Sequence, residues 1–77
     1  MDEWTTKLEL DEIVYTITVN RIYCTSIDEF YFEVKIKIIN EVFYTSEFKL
    51  YSKNEVENWI RQTLNCAGRE FDWVAST

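Results

Sequence analysis

The sequence predicts an α+β fold, an antiparallel β-sheet of about four strands packed on one face by a C-terminal α-helix. Three observations carry this expectation. Apolar and polar residues alternate at period two over most of residues 4–51, the mark of half-buried strands. At Ser52 the apolar spacing changes to that of an amphipathic helix. A chain of 77 residues buries only about 60% of its unfolded surface, so the expected domain is the whole of 1–77, built on a single small core.

The elements follow in order. Trp4, Thr6, Leu8 and Leu10 alternate with Thr5, Lys7 and Glu9, and after Asp11-Glu12 the pattern resumes with Ile13, Tyr15, Ile17 and Val19. Two runs separated by two residues predict a hairpin, although Asp-Glu lacks the glycine that a tight primed turn prefers. Between Val19 and Ile22 the apolar phase slips, which predicts a bulge or strand end near Asn20-Arg21, and Cys24-Thr25-Ser26-Ile27-Asp28 reads as a loop. Phe30, Phe32, Val34, Ile36 and Ile38 then mark one face of a long strand. After Asn40-Glu41, residues 42–50 complete a second hairpin, with Val42, Tyr44, Ser46, Phe48 and Leu50 sharing a face.

Ser52-Lys53-Asn54-Glu55 fits a capping box. Val56, Trp59, Ile60 and Leu64 form the apolar stripe of the helix it opens. Gly68, the only glycine, is the expected C-cap. Residues 69–74 are too apolar for a free tail, and predict either a short edge strand or the docking of Phe71 and Trp73 against the domain.

Composition excludes several function classes. At 47% hydrophobic and 17% aromatic, the chain is too apolar for disorder. A net charge of −6 argues against binding nucleic acid or anionic membrane through a basic surface. The acidic N-terminus and the lack of any apolar run near the ~20 residues of a membrane helix predict a soluble, cytoplasmic protein. Cys24 and Cys66, far apart and without a C-x-x-C pair, read as reduced thiols.

Chemistry is equally constrained. With no histidine, the commonest base for a serine or cysteine nucleophile is missing. One glycine builds neither a phosphate loop nor a dinucleotide fingerprint. Asp11-Glu12 and Asp28-Glu29 lack the spacing of a calcium loop. The expectation is therefore a protein with no enzymatic activity, no cofactor and no metal.

What remains is surface. The uncovered side of the sheet is expected to carry Val14, Tyr31, Ile39, Phe43 and Tyr51 among Glu33, Lys35, Lys37, Glu47 and Lys49, an aromatic patch with a polar rim of the kind that marks an interface. The second candidate is acidic. Residues 1–12 hold five acids against Lys7 alone, and Asp2, Glu3, Glu9, Asp11, Glu12, Asp28 and Glu29 form one negative end if the 11–12 turn lies near the 28–29 loop. The expected partner is another protein with a basic surface, and a homodimer also fits the chain.

The strand pairs at 4–19 and 30–51, followed by Ser52-Lys53-Asn54-Glu55-Val56-Glu57-Asn58-Trp59-Ile60 opening the helix, resemble in architecture the anti-CRISPR proteins, small phage-encoded inhibitors of bacterial defence nucleases. The resemblance implies stoichiometric blockage in the host cytoplasm, with acidic side chains occupying sites that hold guide RNA or target DNA. The charge is modest for such a nucleic-acid mimic, so aromatic contacts are expected to matter as much. The same size and acidity fit an immunity protein or antitoxin that neutralises a basic nuclease toxin. A structural subunit that associates with its own copies is the third reading.

Overall fold

The computed structural model describes residues 2–39, 41–47 and 49–76; the side chains of residues 42, 43 and 76 lie outside that description. The described residues form a five-stranded antiparallel sheet and one helix. In sequence the elements are β1 (Glu3–Leu10), β2 (Ile13–Cys24), β3 (Glu29–Ile38), β4 (Glu41–Thr45), α1 (Lys53–Leu64) and β5 (Val74–Ser76). Across the sheet the order is β4-β3-β2-β1-β5. The sheet thus has one strand more than the expected four, because the C-terminal segment pairs with β1, setting Trp4 opposite Ala75 and Thr5 opposite Val74.

The first hairpin is tight despite its sequence. Leu10 pairs with Ile13, and Asp11 and Glu12 between them both take positive φ, 50° and 69°, the two-residue primed geometry that matches strand twist. The predicted bulge near Asn20-Arg21 is absent, since β2 pairs with β3 without interruption from Tyr15↔Ile38 to Cys24↔Glu29. Arg21 breaks the apolar phase without breaking the strand. Its guanidinium is satisfied by the Asp2 carboxylate at 2.9 Å and lies 4.7 Å from the centre of the Phe30 ring.

The second hairpin is shorter than the alternation suggests. A register shift between Ile36 and Lys37 marks an irregularity, and β4 ends at Thr45. The contact with β3 continues through single links: the Val34 amide donates to Ser46 Oγ (3.0 Å) and the Phe32 amide to the Leu50 carbonyl (2.6 Å). Phe48, expected on the face shared by Tyr44 and Leu50, lies outside the described residues.

Helix α1 begins as the capping box requires. Ser52 takes an extended backbone and its hydroxyl accepts from the Glu55 amide (3.1 Å). The Glu55 carboxylate reaches one residue further back than expected, accepting from the Tyr51 amide and the Ser52 hydroxyl, each at 3.3 Å. The helix stops at Leu64, capped by Asn65 in the left-handed conformation (φ 53°). Gly68 (φ 82°) belongs to the turn beyond it. Asparagine tolerates this conformation, so the helix ends three residues before the expected cap.

One buried cluster joins sheet and helix. Leu8, Ile17, Val19, Val34 and Ile36 from the strands meet Leu50, Val56, Ile60 and Cys66, with Trp59, Leu64, Phe71 and Trp73 packed against them. The C-terminal segment therefore does both things expected of it, adding an edge strand and docking its aromatics. Among the described residues, no helix is long and apolar enough to cross a membrane.

Candidate functional site

The feature that most distinguishes this fold is where the neighbouring strands end. β1 pairs with β2 only as far as Asn20, opposite Glu3. β3 meets its other neighbour no closer to the tip than the Phe32↔Leu50 bridge. Residues 22–24 and 29–31 therefore project as a two-stranded ribbon closed by the loop at 25–28, in which Asp28 takes positive φ (54°). Such ribbons are marginal by themselves. This one is held by the Tyr23 and Phe30 rings, edge to face at 5.1 Å between centroids, with Arg21 against Phe30.

Tyr23 and Phe30 lie on the face that is buried further along the sheet. Among the described residues no other strand extends over them beyond the end of β1, and Phe30 is 51% exposed, Tyr23 45% and Ile27 in the loop 45%. Asp28 and Glu29 stand exposed beside them. Apolar rings ordered in advance and bordered by charge have the composition of an interface centre and its rim.

Cys24 sits in the same tip. Its Sγ and the Ser26 hydroxyl share a hydrogen bond of 3.1 Å. That bond holds the thiol below the usual thiol range, aided by the Ile27 and Ser26 backbone and by Lys49, against a smaller opposing effect of desolvation. Cys66 is buried, and both thiols are unpaired.

The residues singled out from sequence separate into three groups. Asp11 and Glu12 turn at one end of the sheet beside Glu9, and Asp28 and Glu29 lie at the other. β2 runs between the two turns, 12 residues long, or about 40 Å at strand rise, along a molecule whose longest extent is 41 Å. These acids form two separate charged ends rather than the single negative end expected.

The second group does come together. Tyr31 and Glu33 line a shallow notch with Ser46, Glu47 and Lys49, where Lys49 Nζ lies 5.2 Å from the Tyr31 ring centre and Glu33 pairs with Lys35 at 3.8 Å. The remaining residues stand apart. Tyr51 is exposed ahead of α1, and the side chain of Phe43 lies outside the described residues.

Around Tyr31 the open face is largely polar among the described residues. Thr5, Thr16, Thr18, Asn20, Lys35 and Lys37 occupy much of it, all only half-buried. Ile39 lies in the β3–β4 connection, 84% exposed and at φ 58°. Phe30 and Tyr23 were missed as contact residues because their phase along the strand is that of the core. The signal that finds them is the mismatch between the short first strand and the longer second and third.

A last feature is a cleft of about 380 Å³ where β1, the start of α1 and the C-terminal segment meet. Its described lining is apolar except for Lys53. Among the described residues, no group of three or more cysteines and carboxylates is placed to hold a metal ion. Comparison of the chain with protein-family models, with curated proteins and with solved structures finds no match.

Proposed function

We propose that this protein is a non-enzymatic binding module that blocks a basic, nucleic-acid-binding surface of another protein, the partner being a bacterial defence complex of the CRISPR–Cas type in the cytoplasm. The observation that carries the reading is the projecting β2–β3 ribbon, whose Tyr23 and Phe30 rings are ordered against each other yet half exposed. Rings fixed in advance lose little side-chain freedom when a partner covers them. Asp28 and Glu29 beside them favour a basic partner and speed its approach.

In this reading α1 lies across the sheet face that carries Val34 and Ile36, supported by the burial of Val56 and Ile60 in the same cluster. The acids at the far end, Glu9, Asp11 and Glu12, steer at long range and do not enter the contact. The separation of the two acidic ends favours a local aromatic contact over an extended imitation of the phosphate backbone.

The test is competition. The purified chain is added to a purified defence complex, and binding of guide RNA or target DNA is followed by gel shift. The reading expects stoichiometric loss of nucleic-acid binding that weakens moderately between low and high salt and disappears with Tyr23→Ala/Phe30→Ala. Inhibition of a nuclease toxin in the same assay would reassign the protein as an immunity protein or antitoxin. A stable dimer in light scattering that buries the ribbon would reassign it as a self-associating subunit.

A further inference from the structure

The cleft between β1, α1 and the C-terminal segment has no part in the reading above, and its chemistry differs from that of the ribbon. Its volume of about 380 Å³ falls at the lower end of small-ligand sites, about 300–1,000 Å³. Trp4 and Phe32 meet edge to face in its wall, 5.9 Å between centroids. Opposite in sequence, Trp73 is pinned to the helix by its indole N–H, which donates to Glu57 Oε2 at 2.8 Å. Glu57 in turn pairs with Arg61 (3.7 Å), which lies over the Phe71 ring (5.3 Å). The walls are therefore set before any ligand arrives, which lowers the cost of binding.

The one charged group in the described lining is Lys53. Among the described residues it has no ion-pair partner, and Glu55, the acid of the same helical turn, is turned back onto Tyr51 and Ser52. A chain of net charge −6 thus presents an apolar cleft bordered by an uncommitted cation. We propose that this cleft binds a small amphipathic anion, an aliphatic or aromatic body carrying one carboxylate, with the body against the tryptophans and the carboxylate toward Lys53.

Decanoate, below its aggregation concentration, is the probe, and the three indole N–H resonances in a ¹⁵N–¹H spectrum are the readout. Decanoate is expected to shift the Trp4 and Trp73 signals saturably while leaving Trp59, which does not line the cleft, unmoved. Decyltrimethylammonium, with the same tail and the opposite charge, is expected to bind more weakly. Lys53→Gln should weaken decanoate by up to about fivefold, as for an exposed charge pair. Ala75→Phe, placed on the exposed edge strand to fill the cleft, should abolish binding without lowering the melting temperature. The proposal is overturned by a lack of saturable shifts, by equal affinity for the two probes, or by undiminished decanoate binding to a folded Ala75→Phe protein.

Discussion

Ile39 offers the clearest test of how local backbone strain is stored in this fold. It takes φ 58°, a region in which a β-branched residue is an outlier and which costs roughly 1–2 kcal/mol for an L-residue. Packing returns little, since the residue is 84% exposed. The buried sixth of a side chain worth about 1.5–3 kcal/mol when fully covered amounts to roughly 0.2–0.5 kcal/mol. Ile39→Asn, which accepts the left-handed region more readily, should therefore stabilise the protein by about 1 kcal/mol, equivalent to about 4–8 °C in melting temperature at this chain length. Differential scanning calorimetry of the wild type, Ile39→Asn and Ile39→Val measures it. Valine keeps the branch and should bring no gain. A melting temperature for Ile39→Asn at or below that of the wild type, or an equal rise for Ile39→Val, would refute the strain argument.

Three further outcomes follow from the same geometry. Asp11→Asn/Glu12→Gly supplies the residues that the primed turn prefers and should raise the unfolding free energy by about 1 kcal/mol, seen as a higher denaturation midpoint with the slope unchanged. Ile60→Ala, at a fully buried position, should cost about 2–5 kcal/mol, whereas exposed Gln62→Ala should stay within about 0.5 kcal/mol; comparable losses would mean that the helix does not share the core of the sheet. Alkylation of Cys24, followed by mass spectrometry across pH, should reach half-maximal rate below the pH of an unperturbed thiol. Hydrogen bonding from Ser26 favours the thiolate, so Ser26→Ala should move that midpoint upward, while buried Cys66 stays unmodified until the protein unfolds.

Much of the fold is legible in the sequence because period-two runs and a capping box are local signals. Leu8, Ile17, Val34 and Ile36 take the buried face their phase implies, and Ser52 caps α1 as its spacing to Glu55 predicts. The failures are of another kind. Arg21 suggests a break because its charge is out of phase, yet Asp2, distant in sequence, satisfies it. Gly68 attracts the C-cap assignment, but Asn65 adopts the left-handed conformation first.

The binding candidate was hidden for a physical reason. Phase tells which face a side chain takes, whereas exposure depends on whether anything lies over it. Phe30 and Phe32 share a face, and only Phe32 has Trp4 beside it. That difference comes from where β1 ends, a property of the sheet as a whole. The acidic residues illustrate the same point. Asp11-Glu12 and Asp28-Glu29 look equivalent along the chain, and the length of β2 sets them at opposite ends.

The most direct measurement of the central claim is calorimetric titration of the wild type and Tyr23→Ala/Phe30→Ala against a defence complex of the kind proposed as the partner. Two half-exposed rings acting as the centre of the contact predict a loss of at least about thirtyfold in affinity, the scale of one hot-spot residue, in a variant that melts several degrees lower for want of the ring pair but stays folded. Affinity that survives the double substitution, in a variant shown to be folded, would contradict the account and move the contact away from the ribbon.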